Sequence, residues 1–163
     1  MMGTTLRAFF LVFIWAGIMA MQYNFDLDNT TTRRVKDALE LAVHDASLEI
    51  NKAALAEGNI VFNTAQAEQK FKLSLRENLI LDASLHPLDG SLLQEEVKIM
   101  HLEYIDDSNT GVFPFNYTHD RYEIFDTVRG PSIVAVIETV SPRYFKGDPM
   151  TIRQSVVYEY KEY

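Results

Sequence analysis

Four histidines, His44, His86, His101 and His119, are the side chains best suited to metal binding or proton transfer, because the sequence contains no cysteine. None stands in His-x-x-x-His or His-Glu-x-x-His spacing, which would put two ring nitrogens on one helical face around a zinc ion. His44-Asp45 and His119-Asp120 are adjacent pairs of the kind found in metal-dependent phosphohydrolases, but the rest of such a site is missing. Asp106-Asp107-Ser108-Asn109 with Gly111 has the residue types of a cation loop but lacks the downstream glutamate an EF-hand needs. No Gly-x-Ser-x-Gly elbow, Gly-rich phosphate loop or dinucleotide fingerprint is present. With no acid, base and nucleophile set, the expectation is a protein without enzymatic activity, metal or cofactor. The net charge of -8 argues against a nucleic-acid partner, which requires a cationic footprint.

The elements that would position a function are more informative than its chemistry. Ala8 to Tyr23 (AFFLVFIWAGIMAMQY) carries no charge and follows Arg7, the pattern of a membrane span or signal segment. Ala20 suits the last position before a signal cleavage, but Ile18 is a poor occupant two residues earlier. An uncleaved anchor over 1-23 is therefore expected, with Phe9, Phe10, Leu11, Val12, Phe13, Ile14, Trp15, Ile18 and Met19 facing a lipid bilayer. Arg33, Arg34 and Lys36 compete with Arg7 for the cytoplasmic side. The short N-terminal flank favours a cytoplasmic N-terminus and a single-pass cell-membrane protein with an extracytoplasmic domain over 24-163.

Asn24 to Thr32 (NFDLDNTTT) reads as a polar turn or juncture. From Thr32 to Glu57, Val35, Leu39, Ala42, Ala46, Ile50 and Ala53 recur at steps of four and three and predict one helical face, with Leu41, Leu48 and Leu55 as a second ridge. Gly58 supplies the stop. The small residues on the first face suit close packing, either as core beneath a sheet or as an assembly surface. A second helix is expected from Asn63, its cap, to about Leu81, completing a helical half over 32-81.

His86-Pro87 and Asp89-Gly90 are turn chemistry that opens a sheet half over 94-161. Strands are expected at Glu95 to Ile105, Tyr122 to Val128, Ser132 to Val140 and Thr151 to Tyr160, the last alternating as a strand with one buried face does. The fold class is α+β, a roughly four-stranded antiparallel sheet packed on the helices. The loop Asp106 to Asp120 places Phe113, Phe115 and Tyr117 around Pro114, either as a contact surface or tucked beneath the loop.

Leu6 to Tyr23, followed by Arg34 to Ala54 (RVKDALELAVHDASLEINKAA), resembles type IV pilin-like proteins, and among them the TadE-like minor pilins, or pseudopilins, of tight-adherence pili. The resemblance covers about the first third of the chain. It implies a pilus-assembly or secretion-apparatus component with a role in cell adhesion, whose N-terminal helix contacts the bilayer and other pilin-like subunits. Processing in that family uses a small residue followed by a glutamate at the fifth mature position. Here Gly3 and Ala8 stand at those places. A membrane-tethered ligand-binding or sensor ectodomain is the alternative reading.

Overall fold

A computed structural model describes residues 2–110 and 112–161. Positions 1, 111, 162 and 163, which fall within the expected anchor, loop and domain, lie outside the described residues. The chain is α+β, as its residue pattern predicts. In order it forms α1 (Met2–Ser47), α2 (Lys52–Ala56), α3 (Thr64–Leu79), β1 (Lys98–Ile105), β2 (Phe115–His119), a single 3-10 turn (Asp120–Tyr122), β3 (Ile124–Val128), β4 (Ser132–Val140) and β5 (Thr151–Glu159). The expected sheet is divided in two, a three-stranded sheet ordered β1-β4-β5 and a hairpin of β2 and β3, all antiparallel.

The polar juncture Asn24 to Thr32 is helical, so α1 runs unbroken for 46 residues. Its polar side chains do not break the helix because each of the critical ones finds a partner. Thr31 and Thr32 donate to the carbonyls of Leu27 and Asp28 one turn back, at 2.7 and 2.8 Å, and Asp28 is held by the domain. Back-bonding of this kind satisfies a hydroxyl without unwinding the helix. Leu27 and Thr31 are buried, which turns this side of the juncture toward the domain.

The other end of α1 differs from the Thr32 to Glu57 expectation. The helix stops at Ser47, and Ile50 instead bridges Phe62, flanked by Asn51 N–H donating to Val61 O and Asn63 N–H donating to Glu49 O, both at 2.8 Å. Asn51 then caps α2 through its side-chain oxygen, accepting from Ala53 and Ala54. An Asn that can cap a new helix competes with continuing the old one. Ile50 is therefore half-buried outside any helix, and Ala53 is exposed on α2, so neither lies on the predicted face. Gly58, at φ +86, ends α2 in the left-handed conformation.

Helix α3 begins on Asn63 as expected, the side chain accepting from Gln66 N–H at 3.3 Å. It stops at Leu79 because Ile80 takes the left-handed cap at φ 57, and Leu81 N–H closes onto Arg76 O.

Strand β4 organises the core. Every residue from Ser132 to Ile137 is buried, with Ile133, Ala135 and Ile137 facing α1 and α3 and Val134 and Val136 facing the hairpin. A strand covered on both faces is near-continuously apolar, and SIVAVI shows this. Each of its large side chains contributes about 1.5–3 kcal/mol by leaving water. The hairpin is what covers the second face, so the one-faced sheet expected from β5 is half of the arrangement. A register shift between Ile99 and His101 in β1 swaps the parity of that strand. Ile99, Leu102 and Tyr104 can thereby all join the helix-side core.

Candidate functional site

The apolar stretch stands clear of the domain. Phe9, Phe10, Leu11, Val12, Phe13, Ile14, Trp15, Ile18 and Met19 are all exposed, from 46% at Met19 to 72% at Phe13. Single exposed apolar residues are ordinary, but a helix bare on every side over this length presents a contiguous apolar surface of the kind that marks an interaction or membrane site. The helix is long and apolar enough to cross a membrane. After Arg7 the first charge is Asp26, leaving eighteen uncharged residues. At about 1.5 Å per residue these cover roughly 27 Å, close to the ~30 Å hydrocarbon thickness.

Where this helix enters the domain, the connection between β4 and β5 grips it. Arg143 Nη1 donates to Asp28 Oδ1 at 2.5 Å and Nη2 to Asp28 Oδ2 at 3.1 Å, a two-pronged contact. Ser141 Oγ also donates to Asp28 Oδ1. Both charged side chains are largely buried, Asp28 at 17% and Arg143 at 15% exposure. Burial pushes the Asp28 carboxyl up, while the hydrogen bonds from Arg143 and Ser141 and the charge of Arg143 outweigh it and hold the carboxyl below its ordinary range. Arg143 is itself fixed by the carbonyls of Asp148 and Pro142. One turn nearer the apolar stretch, Asn24 Nδ2 donates to Phe145 O at 3.5 Å, and the Tyr23 ring meets Phe145 and Tyr144 edge-on at 5.7 and 6.3 Å.

A second tie lies at the opposite end of the docked helix, where His44 Nδ1 and the Tyr158 hydroxyl are 2.6 Å apart. Between the ties Val35, Leu39 and Ala42, and just past His44 also Ala46, are each buried to 1% exposure or less against α3 and the sheet. These small residues thus let the chain's own elements approach, and their surface is used up inside the domain.

The aromatic loop is likewise drawn inward. Phe115 and Tyr117 belong to β2, Tyr117 is buried, and Phe113 and Phe115 pack half-buried on the hairpin-side core. The rings pack toward the core, with Phe113 and Phe115 keeping part of their surface in solvent. The hairpin brings together two of the four histidines. The His101 and His119 rings lie 4.5 Å apart, His119 stacks on Tyr122 at 4.7 Å, and Glu103 Oε2 accepts from Tyr117 OH at 2.6 Å and lies 3.0 Å from His101 Nε2. Burial, then the hydrogen bond and charge of Glu103, push the Tyr117 hydroxyl well above the usual phenol range. The cluster staples β2 to β1. Among the described residues no three metal-ligating side chains are gathered around one point.

The suspected cation loop is a latch. Asp106 Oδ2 accepts from Phe62 N–H at 2.9 Å, its Oδ1 from Ser108 N–H at 2.9 Å, and Asp107 Oδ2 from Ile60 N–H at 2.7 Å. Gly111 of that motif lies outside the described residues.

No family model, curated protein or solved structure matches this chain. The collar residues Ser141, Arg143, Tyr144 and Phe145 were not legible as a site from sequence, where Ser141-Pro142 and Gly147-Asp148-Pro149 mark only a strand connection. The available signal was the Arg-Tyr-Phe-Lys run between those two turns, with two large rings and two cations where a connection needs neither.

Proposed function

We propose that this protein is a non-enzymatic, membrane-anchored component of a pilus or of a pilus-like secretion apparatus, in the manner of a TadE-like minor pilin or its assembly factor. The observation that carries the reading is the unbroken helix α1, whose first half is bare and apolar and whose second half is built into the core of the domain. A flexible tether would suffice to keep a binding domain near a membrane. A continuous helix does more, because it fixes the orientation of the domain to whatever surrounds the apolar half, whether lipid or the helices of neighbouring subunits. In this reading the exposed faces of the first half serve assembly, since Val35, Leu39, Ala42 and Ala46 are occupied within the chain. The domain stands on the extracytoplasmic side, with Arg7 at the cytoplasmic end of a single span.

The test is the intact mass and N-terminal residue of the protein from its native host, with membrane and sheared-surface fractions analysed separately. A chain beginning at Thr4 in the sheared fraction identifies a processed subunit, despite Ala8 at the glutamate position. An intact chain in the membrane that cross-links through positions 9–19 to pilin-like partners identifies an assembly factor. An intact membrane chain with no such partner, or a chain cut near Met21, overturns the proposal.

A further inference from the structure

The geometry points to the β4–β5 connection as a lipid-contacting element, in which Tyr144, Phe145 and Lys146 sit in the headgroup layer beside the emerging helix. This inference rests on the membrane-anchored reading of α1. The connection belongs to the domain by sequence, yet it is the part of the domain that reaches back to the apolar half. Tyr144 and Phe145 touch Tyr23, the last residue of that stretch, and remain 59% and 48% exposed. Lys146 is exposed next to them.

Length decides where these rings lie. Tyr23 and Asp28 are five residues apart on one helix, or about 7.5 Å along its axis. The headgroup layer is roughly 5–7 Å thick on each side, the difference between the whole bilayer and its hydrocarbon core. With Tyr23 at the hydrocarbon boundary, the Asp28–Arg143 pair falls at the outer edge of that layer. The chain between Arg143 and the rings on Tyr23 therefore crosses the layer itself. Tyr and Phe rings suit that depth, and a lysine there extends its ammonium to the phosphates. Beyond their edge-on contacts with Tyr23, the exposed faces of the two rings pack against nothing in the domain, whereas at an interface they add buried apolar area beside the span.

The absence of cysteine makes the test direct. Phe145→Cys, Ile14→Cys and Val112→Cys, all at exposed positions, are each spin-labelled in the full chain and reconstituted in phosphatidylcholine nanodiscs. Val112 follows the end of β1 that pairs with Ser132, the far end of the sheet from Val140 and the collar. Accessibility to oxygen relative to a water-soluble nickel complex reads depth. The expected result is lipid-like at 14, aqueous at 112, and several-fold above 112 at 145, with Lys146→Glu moving 145 toward the aqueous value. An aqueous ratio at 145 with a lipid-like ratio at 14 overturns this inference and leaves the anchor standing. Aqueous ratios at both overturn the anchor and the inference together.

Discussion

Asp28 in the middle of α1 and Arg143 in the β4–β5 connection form a two-pronged, largely buried ion pair across 115 residues of sequence. The pair joins the polar juncture of the long helix to the sheet. Asp28→Ala leaves the guanidinium shielded from water without its partner, and is expected to lower unfolding stability by about 2–3 kcal/mol. Chemical denaturation of the detergent-solubilised chain measures this. Replacing both partners, Asp28→Leu with Arg143→Met, is expected to cost less than either single change, because no orphaned charge remains.

The same pair sets an acid limit. The Asp28 carboxyl is held below its unfolded value of about 3.9, so the folded state binds fewer protons in the window between the two. The stabilisation is complete above about pH 4 and is lost as pH falls through the folded pKa. A denaturation series from pH 6 to 2 is expected to show a steeper decline in the wild type than in Asp28→Asn. Equal slopes would mean that the pair contributes nothing.

Phe71 is fully buried on α3 while Leu73, two residues on, is 40% exposed. Phe71→Ala is expected to cost about 3–5 kcal/mol, and Leu73→Ala less than about 1 kcal/mol. Thermal unfolding of the two variants separates the inner from the outer face of the helix.

Ile80 caps α3 at φ 57, a conformation disfavoured for a β-branched residue, with its side chain 43% exposed. Ile80→Gly relieves about 1 kcal/mol of backbone strain and is expected to raise the melting temperature. A fall would show that the partly exposed side chain contributes more than the strain costs.

Asp106 is 2% exposed and accepts from the backbone of Phe62. Asp106→Ala is expected to cost about 2 kcal/mol and to speed amide exchange at Phe62. Calcium titration by calorimetry on the wild type, with no heat of binding, is the accompanying expectation of a latch.

The fold was legible where one periodicity dominated. Apolar steps of three and four gave the docked half of α1, the Asn63 cap gave the start of α3, and the strand expected over Ser132 to Val140 has those bounds. It was not legible where long-range partners decide. Asn24 to Thr32 reads as a break because the sequence places Asp28 and three threonines in a row of weak helix formers, and it is helical because Arg143 satisfies Asp28 and the carbonyls one turn back satisfy Thr31 and Thr32. Ile50 kept helical spacing but paired with Phe62, since Asn51 could cap a new helix. The aromatic loop hid a strand because β2 is only five residues long and draws its stability from the face of β4 it covers. The collar stayed invisible because its residues meet α1 only once the sheet is assembled.

The two ties on α1, Asp28 to Arg143 and His44 to Tyr158, stand sixteen residues apart, about 24 Å of helix lying alongside β4 and β5. A tug on the apolar half of α1 therefore acts lengthwise along this seam. Such shear must break the ion pair, the core contacts and the distal tie together, whereas peeling would part them one after another. The domain is braced like a blade on its tang, and the chain can transmit traction from its apolar N-terminal half without coming apart at the first contact.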